Sequence, residues 1–144
     1  MGEGHRASHG DTIRIAAAVM SDAAGRLLLV RKRGTQAFMQ PGGKIEPGEE
    51  PGVTLQRELH EELGLTVAAD GLTYLGCHAA PAANEPGCIV EAELFAVTGD
   101  EAVTPRAEIE ELVWLDPAAP SALILAPLTR DHVLGLHRER HNLG

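Results

Sequence analysis

The sequence predicts a single mixed α/β domain, with one sheet and helices on both of its faces. Three observations carry that prediction. Strand-like and helix-like segments follow in the order strand, strand, helix, strand, strand, strand, helix. One strand, Arg26 to Lys32 (RLLLVRK), is a near-continuous apolar run, which suits a sheet covered on both sides. One helix carries leucines at steps of four, a stripe that must face a core. At 144 residues, the chain can bury such a core as one domain.

Residues 1–10 have no apolar signal core and read as a loose tail, so the domain is placed at residues 11–140. Thr12 to Met20 reads as a strand, Ser21 to Gly25 as a turn, and Arg26 to Lys32 as the second strand of a hairpin. Gly34 to Gln40 is a loop, and loop structure continues to about Glu50. A helix is predicted over Pro51 to Leu63, with proline in its first turn and Gly64 just past its end. Leu72 to His78 is a strand, Ala79 to Gly87 a loop, and Cys88 to Val97 a strand. The polar stretch Thr98 to Glu111 leads into a short strand, Leu112 to Leu115. Pro127 to about Arg140 reads as the closing helix. No internal repeat or interdomain linker is visible.

Charge narrows the function. Twelve basic against 21 acidic residues give a formal net charge of −9. Nucleic-acid polymers and acidic membranes need clustered Lys and Arg, so neither is an expected partner. Small phosphorylated ligands remain open, because a metal ion can meet their charge locally. The aromatics Phe38, Tyr74, Phe95 and Trp114 are too few for a multi-base stacking platform. No run approaches a membrane span. Cys77 and Cys88 form no metal-type cluster, and unpaired thiols suit the expected cytoplasmic location.

The chemistry concentrates in GGKIEPGEEPGVTLQRELHEELGL, Gly42 to Leu65. At about 100° per residue, Leu55, Leu59 and Leu63 make the core stripe. Glu58, Glu61 and Glu62, at i, i+3 and i+4, share one side and flank that stripe, with Glu62 closest to it. Like charges so placed repel, and partly burying Glu62 is costly. Arg57 can meet one of them. A hard cation, Mg²⁺ or Mn²⁺, could meet all three. A solvated acidic face would explain the glutamates alone, but the loop before them points elsewhere. Pro41-Gly42-Gly43 lets backbone approach a ligand closely, and Lys44 adds a charge suited to phosphate.

These residues resemble the Nudix box. Gly43, Glu49, Arg57, Glu58, Leu59, Glu61, Glu62, Gly64 and Leu65 occupy every specified position of that pattern. The resemblance implies a Nudix α/β/α sandwich with a mixed sheet, and hydrolysis of a nucleoside diphosphate linked to another group. It implies Glu58, Glu61 and Glu62 as metal ligands, with the carbonyl of Gly42 a further one. Catalytic duty would fall on Glu58, Glu61, Arg57 and Glu49, with Arg57 orienting Glu49 or Glu58 and Lys44 touching phosphate. Some relatives take their base from a later loop, where Glu108, Glu110 and Glu111 are the candidates. A nucleoside triphosphate, ordinary or oxidised, is the expected substrate. ADP-ribose or a nucleotide sugar is the alternative, and a non-catalytic nucleotide sensor is the alternative of another class. The resemblance is also compatible with a homodimer.

Outside the box, Arg31 and Arg33 are candidates for phosphate or ribose, against a reading as surface charges. Asn84 could read a base edge, against a reading as a turn residue before Pro86. Phe38 could stack on a base, against ordinary packing. His137 and His141 are expected in a solvated tail, and Trp114 in the core.

Overall fold

A computed structural model of the chain describes residues 11–98, 103–119 and 122–143. The predicted tail, residues 1–10, lies outside the described residues. The fold is an α/β/α sandwich around a six-stranded mixed sheet. Its strands are β1 (Thr12–Ser21), β2 (Leu27–Lys32), β3 (Gly42–Lys44), β4 (Leu72–Pro81), β5 (Ile89–Thr98) and β6 (Ile109–Leu115). The helices are α1 (Pro51–Leu63) and α2 (Leu134–Leu143), the latter preceded by a π turn at Thr129–Val133.

The sheet runs β4-β5-β1-β2-β6, with β3 paired to β1 off that path. β1 and β5 are parallel, while the β4–β5, β2–β6 and β1–β3 pairs are antiparallel. β1 meets β2 at Ser21↔Leu27, beside the turn. Beyond that point other partners intervene. Ala18 N–H donates to the Pro41 carbonyl at 2.9 Å, Val30 and Met39 exchange backbone hydrogen bonds at 2.8 Å, and Ala16 and Ala17 pair with Gly43 and Gly42. The segment from Met39 to Lys44 therefore fills a wedge between β1 and β2, which sets the glycine pair inside the sheet.

Alternation along the central strands explains the two cores. Ala16, Ala18, Met20, Leu28 and Val30 face one side and pack with Leu55, Leu59 and Leu63 of α1. Ala17, Val19, Leu27 and Leu29 face the other and pack with Leu128 and Val133. With both faces covered, the strands read as continuous apolar runs. α1 ends as its sequence predicts: Gly64 takes φ 68° and donates its N–H to the His60 carbonyl.

Several boundaries differ from the sequence expectation. The loop expected through Glu50 contains β3. Two glycines and a lysine carry no strand preference, and pairing with β1 imposes the conformation. β4 runs on to Pro81, where Ala79, Ala80 and Pro81 pair with Glu91, Val90 and Ile89. Pro81 is tolerated because β4 is an edge strand and the proline ends it. β6 begins at Ile109, three residues before the expected start, and Glu111 stands opposite Arg31 across the ladder. His137, expected in solvent, is 3% exposed, and its Nε2 donates to the Gly25 carbonyl at 2.8 Å. Neither cysteine is in a disulfide. No helix among the described residues is long and apolar enough to cross a membrane.

Candidate active site

The apolar stripe of α1 fixes the helix by its leucines and so fixes where its glutamates go. Glu62, one residue before Leu63, is carried under the sheet beside the glycine pair and is 3% exposed. Its Oε1 accepts the Gly42 N–H at 3.1 Å. Burial pushes its carboxyl from the ordinary 4.5 up to about 8; the Gly42 bond and the Lys32 charge oppose that rise, and the charges of Glu58 and Glu108 add to it. Burial also raises the Glu58 carboxyl, which the Arg57 charge offsets in part and the Glu61 charge reinforces.

The glycines are dictated by contact. A Cβ on Gly42, at φ 151°, would lie 2.1 Å from the Ala16 carbonyl oxygen. One on Gly43 would lie 2.4 Å from Cδ of Glu58. At Gly42 backbone alone fits, and at Gly43 a side chain would displace the Glu58 carboxylate.

Arg57 joins the loop to the helix. Its Nε and Nη2 donate to the two oxygens of Glu49 at 3.0 and 2.9 Å, a two-point pair, and its Nη1 donates to Glu58 Oε2 at 3.0 Å. Of the two partners expected for Arg57, it holds both. Thr54 Oγ1 and the Glu46 N–H add bonds to Glu49 Oε1 at 2.7 and 3.1 Å. These donors, Arg57 first, hold the Glu49 carboxyl down at about 2.

Among the described residues, no three carboxylate, imidazole or thiol groups converge as a ready cation cage. Glu58 is turned toward Arg57, and Glu61 is half-exposed with Oε1 3.8 Å from the same guanidinium. The donor set nonetheless fits a hard cation of the magnesium kind. Mg²⁺ keeps several waters and takes one or two carboxylates plus phosphate oxygens, rather than an all-protein cage. A buried Glu62 and a half-buried Glu58, one helical turn apart and each resisting ionisation, are the carboxylates such an ion would favour.

A cleft of about 130 Å³ opens beside the glycines, bringing together Lys32, Gly42, Gly43, Lys44, Asn84 and Glu85. Lys44 is exposed, and its Nζ lies 3.6 Å from Glu85 Oε2. Asn84 lines the same cleft. Arg31 and Arg33 do not line it. Arg31 pairs with Glu111 at 2.9 Å and donates to the Thr35 carbonyl, and Arg33 pairs with Glu110 at 3.0 Å. That engages Glu110 and Glu111 as well, and leaves Glu108 as the loop acid whose charge reaches Glu62. Phe38 packs in the interior. It is 5% exposed in the core opposite α1, held by backbone bonds to Ile124 and Ala126.

The sequence reading passed over Lys32, Thr54 and Gln40. Strand alternation could have found the first. Leu28 and Val30 face α1, so Lys32, two residues on, extends the side on which the glutamates lie. Its charge acts on both Glu58 and Glu62. Thr54 and Gln40 are buried polar residues with no such signal.

Comparison with known proteins accords with this geometry. The sequence model of the NUDIX domain matches residues 11–134. The 8-oxo-dGTP diphosphatase of Haemophilus influenzae is 39% identical over 57 residues, 37% of this chain and 42% of that protein. The octanoyltransferase of Myxococcus xanthus is 37% identical over 120 residues, 81% of this chain and 33% of that protein. The chain thus spans less than half the length of either curated relative. The MutT protein of Methanosarcina mazei Go1 matches in structure with a TM-score of 0.72 at 21% identity, covering 94% of this chain and 98% of that one, a likeness of fold. With the domain matched over most of this chain and the box residues running from β3 through the loop and α1 to Leu65, the chain belongs to the Nudix family.

Proposed function

We propose that this chain is a divalent-metal-dependent pyrophosphohydrolase acting on a nucleoside triphosphate, ordinary or oxidised at the base. The observation that carries the reading is the pair of buried Glu62 and half-buried Glu58, set against the Gly42–Gly43 backbone, which itself lines a cleft together with Lys32 and Lys44. The name of the Haemophilus influenzae relative supports the substrate class. Two cysteines outside any disulfide suit a cytoplasmic setting.

Glu58, Glu61 and Glu62 would hold Mg²⁺ or Mn²⁺, which supplies charge neutralisation on the pyrophosphate and a more acidic water. Lys32 and Lys44 meet the polyphosphate charge. The bare backbone at Gly42 and Gly43 lets β3 pack against β1 and the Glu58 carboxylate, which brings the carboxylates up to the cleft wall. A water oxygen bonds to phosphorus, the bridging P–O bond breaks, and the departing phosphate carries the bridging oxygen. The water's proton passes to a carboxylate, for which Glu58, Glu61 and Glu108 are the candidates. Arg57 fixes the Glu58 oxygens by a charge-assisted bond while anchored on Glu49.

Release of phosphate and pyrophosphate from nucleoside triphosphates tests the reading with Glu58→Gln and Glu62→Gln. Both variants are expected to fold and to lose about 100-fold or more in turnover. Wild-type rates in both would remove these carboxylates from the chemistry.

A further inference from the structure

Gln40 sits where the chain turns from the Phe38–Met39 bridges into β3, and it is 6% exposed. Its Oε1 accepts the hydroxyl proton of Thr129 at 2.6 Å, a bond between two buried side chains. Its Nε2 is buried, and among the described residues no acceptor meets it. A buried amide donor without an acceptor is unfavourable and rare. Gln40 also lies at a junction. It lines the cleft beside Gly42 and Gly43, and it lines a second cavity of about 70 Å³ walled by Ile15, Ala17, Val90, Ala126 and Leu128. Ile15, Met39, Gln40, Ala83 and Val90 are common to both, so the two adjoin along a shared wall, and we take them as two ends of one cleft. One end is polar and abuts the box. The other is apolar, with one polar amide at its threshold.

The amide is oriented with its oxygen toward Thr129. Thr129 has one hydroxyl proton, and it goes to Oε1, so both N–H groups of Nε2 are the ones left for a ligand. Thr129 opens the π turn, a feature that often sits at functional sites. A donor-only group fits the oxygen at C6 of guanine or at C4 of uracil or thymine, the position at which adenine and cytosine carry an amine. Against adenine or cytosine it would oppose the exocyclic amine donor to donor. We propose that the apolar end of the cleft holds the nucleobase, and that Gln40 reads it by donating from Nε2 to a keto oxygen. Thr129 is the positioning residue that holds the amide this way round. Keto-base nucleotides are thereby preferred to amino-base nucleotides. The inference rests on the nucleotide reading of the site but not on turnover.

The test uses nucleoside monophosphates, which have no pyrophosphate bond to cleave, in EDTA. GMP, UMP, AMP and CMP are titrated while the side-chain amide signals of Gln40 are followed by NMR. GMP or UMP is expected to shift those signals and to bind about 10-fold more tightly than AMP and CMP. Gln40→Met, which keeps the bulk, is expected to abolish that ratio. Thr129→Val, which frees the amide to turn over, is expected to lower the ratio while the circular dichroism spectrum stays unchanged. Equal affinities in the wild type, a preference that survives Gln40→Met, or unmoved Gln40 signals would overturn the proposal; the last would make the amide a structural group. Triphosphate turnover with Mg²⁺ is measured in parallel. A base preference without turnover keeps this inference and rejects the hydrolase, and turnover without a base preference does the reverse.

Discussion

Glu62→Gln tests the electrostatics of the site without any substrate. The carboxyl is raised from 4.5 to about 8, chiefly by burial. A raised carboxyl binds its proton more tightly in the folded state than in the unfolded one. Its contribution to stability is therefore full below pH 4.5 and is lost as pH rises toward about 8. At ~1.4 kcal/mol per pH unit, that interval sets a ceiling of ~5 kcal/mol. Water reaching the cleft beside Gly42 and Gly43 reduces it, and the expected loss is ~2–4 kcal/mol. Glutamine keeps the shape and the acceptor for the Gly42 N–H but carries no charge. Urea unfolding in EDTA measures the difference. At about pH 8.5 the variant should be the more stable by that amount, and near pH 4.5 the two should converge. Added Mg²⁺ should restore the wild type at high pH and leave the variant unchanged. A stability difference that is flat with pH would refute the claim that burial holds this carboxyl protonated.

Other expectations are simpler. Leu59→Ala empties a fully buried position under the sheet and is expected to cost ~2–5 kcal/mol in urea unfolding. Gly42→Ala drives a Cβ into the Ala16 carbonyl, so thermal unfolding should show a loss of about 3 kcal/mol or a chain that does not fold. Glu49, held at about 2 by Arg57, stabilises the fold above pH 4.5 and loses that effect as pH falls through about 2. Arg57→Lys cannot make the two-point pair, so the acid-unfolding midpoint should move to higher pH. An unchanged midpoint would mean that the pair contributes nothing to the fold.

How much of this was legible depended on which physical signal each part used. α1 was readable, its start to within a residue or two, because its leucine stripe, its first-turn proline and Gly64 all agree. β3 was not, because it is a strand by pairing and not by composition. The starts and ends built from Ala79, Ala80, Pro81 and Glu110 were missed for the same reason: neighbouring strands override weak local preference. At the site, spacing brought Glu58 and Glu62 together and made Glu62 the partly buried one, which the structure buries almost fully. It did not separate Arg31 and Arg33 from Lys32, although period-two alternation does so once Val30 is known to face α1. His137 went astray because its burial depends on a partner far along the chain, Gly25, while Phe38 follows the packing reading through its backbone bonds to Ile124 and Ala126. Gln40 is legible only in three dimensions, since its meaning lies in a bond to Thr129 across 89 positions.

The central claim is that these carboxylates serve a metal-dependent cleavage of a pyrophosphate bond. One measurement tests it most directly: chromatographic separation of the nucleotide products formed from a panel of ordinary and oxidised nucleoside triphosphates, ADP-ribose, nucleotide sugars and dinucleoside polyphosphates, each with Mg²⁺ or with EDTA. The account predicts turnover of nucleoside triphosphates with Mg²⁺ and none with EDTA. Turnover unaffected by EDTA, or turnover of none of these compounds, would contradict it.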